Sequence, residues 1–166
     1  MTGDTLEWYF AYGSNLDRTT FCGRRRMQPS YARRAHLRNF AIKFDLAVDT
    51  SNRGVANIVS DPTCEMWGVV YQISRTQIRR LDRSEAVHRG FYRRIPVVIT
   101  DDDANEIATF SYASTRDRQD RLPSARYLGL IVNGAIYHGL PQEWINKLRA
   151  WPLAVDERKA AQPSLF

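Results

Sequence analysis

Apolar positions change period twice along the chain. The aromatic run that starts at Tyr9 reads as a strand and gives way at Gly13-Ser-Asn15 to residues that suit a tight loop. Two short β-like runs follow, Phe40–Phe44 and Val55–Val59, joined through the turn formers of 49–54 as a hairpin. Residues 65–73, "EMWGVVYQI", are nearly continuously apolar, the pattern of a central strand buried on both faces, with Gly68 marking a bulge or a close approach.

At Ser74 the pattern becomes helical. Ser74-Arg-Thr-Gln77 has the form of a capping box, Ile78 and Leu81 supply the inner face, and the pattern fails at Ser84 before a turn at Gly90. Phe91–Thr100 and Glu106–Ser114 then read as an antiparallel hairpin about residues 101–105, with Pro96 at an edge or bulge. The last third is helical. Ala125, Leu128, Ile131, Val132, Ala135 and Ile136 form one stripe, and Gly139 is placed to end that helix. A second helix is expected from Pro141 at its first position, with Glu143 early, Lys147 and Arg149 late, and Pro152 beyond its end. Strands first and helices last predict an α+β fold around a strongly bent sheet. One domain over 1–152 and a loosely held tail over 153–166 are expected.

Composition narrows the chemistry. The 166 residues are 43% apolar, which suffices for a real core. The net charge of +6 is concentrated between Arg18 and Arg38, a stretch with seven arginines and no acid. That segment reads either as a solvated surface or as a patch for an acidic partner. Cys22 and Cys64 are too few for a disulfide framework and lack zinc spacing, so packing is their expected role. His36, His88 and His138 are widely separated and suggest neither a metal site nor a catalytic triad. No leader, spanning segment, P-loop or dinucleotide fingerprint is visible, and a cytoplasmic protein without a cofactor or membrane partner is expected.

Two places could carry chemistry. At the end of the first strand Gly13 allows close backbone approach, and the amides of Ser14 and Asn15 could face an anion; an ordinary turn with Ser14 or Asn15 as a helix cap fits equally. Glu85 lies in "LDRSEAVHRGFY", among less polar neighbours than a typical surface acid has. An isolated Glu is ordinarily solvated or salt-bridged, and whether burial raises its pKa or Arg83, Arg89 or His88 lowers it is a matter of geometry.

Taken in order, "YFAYGSN", "WGVVY", "LDRSEAVHRGFY" and "SARY" resemble the gamma-glutamylcyclotransferase family, over about Trp8 to Leu148. The resemblance implies a small mixed β-barrel of about five to seven strands flanked by helices, with loop and acid meeting at one mouth. It implies that Tyr12, Gly13, Ser14 and Asn15 form the substrate-binding loop and that Glu85 is the catalytic base. Tyr9, Phe10 and Ala11 would floor the pocket, with Tyr92 and Tyr127 beside the substrate. The implied reaction is an intramolecular aminolysis that closes a gamma-glutamyl group to 5-oxoproline and frees the attached amine, without metal or cofactor. A small gamma-glutamyl molecule is the implied partner and a monomer or homodimer the expected state; nucleic acid is not expected. The alternative is a non-catalytic module of the same fold, binding nucleic acid or protein through residues 18–38.

Overall fold

The longest elements form a single ribbon. In the computed structural model, which describes residues 3–47, 52–116 and 118–155, β2 (Tyr31–Ala47) pairs antiparallel with β3 (Gly54–Ser74). The Phe40–Phe44 and Val55–Val59 runs lie in this ribbon, Ile42 opposite Ile58, as the hairpin reading requires. Residues 48–51 of the connecting turn lie outside the described residues.

Both strands are longer than the apolar pattern suggested. β2 starts inside the arginine-rich stretch, where Ala35 and Leu37 face inward while Arg34, His36 and Arg38 alternate with them and Arg33 shares the face of Ala35; long cationic stems hide the period-two signal. β3 continues through Asp61–Cys64, which stands opposite Asn39 at a register shift; Asn39 has a φ of 66°. Gly68 is a close approach, since a Cβ there would lie 2.2 Å from the Ala11 carbonyl oxygen.

β1 (Leu6–Ala11) pairs antiparallel with β3, Phe10 opposite Val70. β4 (Arg93–Asp101) and β5 (Glu106–Ala113) form the expected hairpin. The order β1-β3-β2-β4-β5 closes into a barrel by two short seams, Ala35–His36 of β2 with Thr100–Asp101 of β4 and Tyr9 of β1 with Phe110 of β5. The β1–β5 seam is parallel, so the barrel is a mixed one of five strands. Pro96 sits where β4 has only β5 beside it, the edge position expected of it.

α1 (Arg75–Ser84) follows β3 directly. Ser74 caps it, accepting from Gln77 N–H at 3.3 Å, but the Gln77 amide donates to the Gln28 carbonyl and gives no return bond. α2 (Ala125–Tyr137) buries Leu128, Ile131, Gly134 and Ala135, whereas Ala125 and Ile136 at the ends of the expected stripe are exposed. Its end is a Schellman motif: Leu140 N–H donates to Ala135 O at 2.9 Å, Gly139 N–H to Ile136 O at 3.1 Å, and Gly139 has a φ of 66°. α3 (Gln142–Arg149) has Pro141 as its N-cap, one position before the expected one. The expected tail begins at Leu153, and its residues 156–166 lie outside the described residues.

Candidate active site

Because β1 and β5 run parallel, their C-terminal ends reach the same mouth of the barrel, and the Tyr12 hydroxyl ties them by donating to Tyr112 O at 2.6 Å. Past Tyr12 the chain turns at Gly13 into a 3-10 turn, Ser14–Leu16, and then a π-helix, Thr19–Arg24. Capping of this segment falls to Asp17, whose carboxylate accepts from Thr20 N–H at 2.9 Å and from Thr20 O–H at 2.8 Å. Asn15 is thereby free to serve the site.

Two close approaches fix the loop. A Cβ on Gly13 would lie 3.3 Å from Ala56 Cβ and 3.4 Å from the Tyr127 hydroxyl, while one on Gly134 of α2 would lie 2.3 Å from the Leu16 carbonyl carbon. From behind, the Tyr71 hydroxyl donates to the Asn15 carbonyl at 3.0 Å and lies 3.1 Å from His138 Nε2 at the end of α2. The side chain of Asn15 is buried and donates to Tyr9 Oη at 2.8 Å and to Glu85 Oε1 at 3.0 Å. Its Oδ1 is the one buried side-chain polar atom without a hydrogen bond among the described residues.

Glu85 is the C-cap of α1, its N–H donating to Leu81 O at 2.9 Å, and Ala86 after it takes a left-handed φ of 52°. The carboxylate faces inward, and 12% of the side chain is exposed. Arg25, just past the π-helix, donates from Nη1 to Glu85 Oε1 at 2.8 Å and to Ser84 Oγ at 2.6 Å. Burial raises the Glu85 pKa, and the Arg25 charge and the Asn15 bond act against that rise.

Tyrosines wall the rest. Tyr92 donates to Ala56 O at 2.5 Å, and the Tyr127 oxygen accepts from Ala56 N–H at 3.0 Å, covering the side of β3 that β1 no longer flanks. Tyr112 donates to Asp82 Oδ1 at 2.7 Å. Burial pushes the Tyr127 hydroxyl up to about 12 and those of Tyr9, Tyr12, Tyr92 and Tyr112 upward as well, so all five stay protonated at neutral pH. With Glu85 they enclose an inner recess of about 30 Å³. Ser14, Glu85, Tyr92 and Tyr127 also line an outer cavity of about 350 Å³ bounded by Arg25, Val55, Arg89 and Phe91.

Of the residues singled out in the sequence, Tyr9, Tyr12, Gly13, Ser14, Asn15, Glu85, Tyr92 and Tyr127 therefore meet around one recess. Phe10 and Ala11 do not join them. Both are fully buried outside the lining, the Phe10 ring on the opposite face of β1 from Tyr9, against Gly68. Arg25, Ala56 and Tyr112 also belong to the site but escaped the sequence reading. Only Tyr112 had a signal, as an aromatic of the last strand pattern.

The arginine-rich stretch is divided by the fold. Arg25 goes to Glu85, Arg33 pairs with Asp101 and Arg34 with Asp102, and the Arg18 guanidinium lies 5.6 Å from the centre of the Tyr137 ring. Among the described residues no group of His, Cys, Asp and Glu could hold a metal ion, and no helix is long and apolar enough to cross a membrane.

Known proteins resemble this chain in sequence and fold. The model of the AIG2-like family matches residues 65–148. A mouse gamma-glutamylcyclotransferase is 36% identical over 159 residues, covering 86% of this chain and 77% of the relative, and the human enzyme of that name is 34% identical over the same shares. A solved gamma-glutamyl cyclotransferase superposes with a TM-score of 0.80 at 28% identity, covering 94% of this chain and 97% of its own.

Proposed function

This chain belongs to the gamma-glutamylcyclotransferase family and is an enzyme of that type, and from that premise we propose that it closes a gamma-glutamyl group to 5-oxoproline with Glu85 as the base. The carrying observation is a buried carboxylate, raised in pKa, held by Asn15 of the loop inside a tyrosine-lined recess.

The substrate's α-ammonium gives a proton to Glu85, and the freed amine attacks its own γ-carbonyl carbon, forming the ring C–N bond. The tetrahedral oxyanion then collapses. The bond to the leaving nitrogen breaks as Glu85 returns the proton to it, and the ring nitrogen's second proton passes through Glu85 to the released amine, which departs as an ammonium, so no water is consumed. Nucleophile and electrophile share one molecule, and most of the acceleration comes from holding the chain curled, a term worth up to ~7–11 kcal/mol. Ser14 and Asn15 offer amides at the start of the 3-10 turn to substrate oxygens, and unpartnered Asn15 Oδ1 suits an N–H of the reacting amine. The leaving group emerges into the outer cavity.

Purified protein incubated with gamma-glutamyl amino acids and gamma-glutamyl amines, with 5-oxoproline read by mass spectrometry, tests this directly. Glu85→Gln is expected to stop release while keeping the fold. Undiminished release by that variant would remove Glu85 from the mechanism, and an open-chain glutamate product would replace cyclisation with hydrolysis.

A further inference from the structure

Arg25 is unassigned by the reaction as written, yet it is the group whose charge lies against the base. Its Nη1 meets both Ser84 Oγ and Glu85 Oε1, so the guanidinium is anchored to the end of α1 as well as to the carboxylate. Asn15 Nδ2 lands on the same oxygen. Among the described residues no protein group bonds Oε2.

The backbone on both sides of the pair is specialised. Arg25 closes a π-helix, a rare element that concentrates at functional sites, and Arg26 after it has a φ of 53°. On the other side Ala86, directly after Glu85, has a φ of 52°. Left-handed conformations are unfavourable for residues with a Cβ and persist where the surroundings impose them. Here two of them directly follow an arginine and a glutamate that meet across 60 residues of sequence.

We propose that Arg25 is a positioning residue for the cyclisation, fixing Oε1 of Glu85 so that Oε2 is the oxygen presented to the substrate's amine. This rests on Glu85 being the base. The Arg25 charge also acts against the rise that burial imposes on the Glu85 pKa. The other groups around Glu85 do not supply that charge. Asp82, on the same helix, opposes ionisation and is itself held by Arg94 at 3.2 Å and by Tyr112; Tyr9, Tyr12, Tyr92 and Tyr127 are protonated; Arg89 lines the outer cavity without a bond to the carboxylate.

The test compares wild type with Arg25→Met, Arg25→Gln and Arg25→Lys, the first two removing the charge and the third keeping it without the fork. Two readouts are taken: the pH profile of kcat/KM for 5-oxoproline release, and the titration of the Glu85 carboxyl by NMR in protein carrying ¹³C-labelled glutamate, assigned by difference from Glu85→Gln. The neutral variants are expected to move the acid limb and the Glu85 titration together to higher pH. Their loss of kcat/KM is about tenfold or more below the limb, the scale of an opposite charge's effect on a neighbouring carboxylate, and shrinks above it. Arg25→Lys is expected to restore the limb's position. Wild-type kcat/KM in the neutral variants above the limb would remove the positioning role, and a Glu85 titration unmoved in them would remove the ion pair; either result overturns the proposal. If wild type releases no 5-oxoproline from any gamma-glutamyl compound, the reaction assignment falls instead, and the NMR titration alone decides the ion pair: a signal unmoved in the neutral variants refutes it.

Discussion

Gly134 lies where α2 crosses the back of the site loop, and its replacement by alanine asks how closely turnover depends on where that loop sits. The new Cβ would be 2.3 Å from the Leu16 carbonyl carbon and 2.5 Å from its Cβ and oxygen, whereas ordinary contact begins at 3.4 Å. The deficit, 3.4 minus 2.3, means that helix or loop withdraws by about 1 Å. No rotamer change relieves it, because every near atom is Leu16 backbone or Cβ, and Leu16 is itself fully buried directly after Asn15. Overpacking of this kind costs about 1–3 kcal/mol, against the ~1 kcal/mol that alanine gains over glycine inside a helix. A displacement near 1 Å is worth up to ~10²-fold in rate. Gly129, on the same helix, has nothing within 4 Å of an added Cβ and serves as the control. Gly129→Ala is expected to raise Tm by about 2–4 °C and keep wild-type release. Gly134→Ala is expected to lower Tm and to reduce kcat/KM about tenfold to a hundredfold. Both are read by differential scanning calorimetry and 5-oxoproline formation. Wild-type turnover in Gly134→Ala would refute the claim that α2 sets the loop.

Three further outcomes follow from the same geometry. A base works ionised, and burial lifts the Glu85 pKa above the ordinary 4.5, so kcat/KM should fall with decreasing pH through a limb above 4.5; a limb at or below that value would count against Glu85. Tyr127→Phe strands the Ala56 N–H and should cost about 1–3 kcal/mol in urea unfolding, more than Tyr92→Phe, which removes one donor from a carbonyl; the reverse order would contradict the edge-covering role of the two hydroxyls. Asp17→Ala removes both bonds to Thr20 and should cost about 1 kcal/mol while lowering kcat/KM through Arg25, so a stability loss with turnover intact would separate the π-helix from the site.

What the sequence disclosed were features whose cause is local. Ser74 and Gly139 marked helix ends because a cap and a Schellman turn are made by residues within five positions of one another. The apolar run of β3 showed a central strand because Val69, Val70 and Tyr71, which alternate between its two faces, are all buried while β1 and β2 pair with its edges. β2 was half visible: in Tyr31–Arg38 the outward positions carry arginines whose stems cover apolar surface, and charge count hid the alternation that Ala35 and Leu37 betray once paired. The α+β class came from the order of strands and helices, whereas the closed barrel and the meeting of loop and acid came from the family resemblance carried by four short motifs, since no spacing in this chain demands that Asn15 reach Glu85.

Arg25 marks the limit of such reading. In sequence it is one of seven like charges, and a like-charge run is ordinarily a solvated face. The fold gives those charges different fates by placing Asp101 and Asp102 of the β4–β5 turn against Arg33 and Arg34, and α1's last turn against Arg25. Two of these pairs tie strand to turn. The third lies in a recess where burial raises the carboxylate's pKa and a single guanidinium acts against that rise. The basic excess therefore reports on acids far along the same chain, and its use as a sign of an external acidic partner would count Arg25, Arg33 and Arg34 twice.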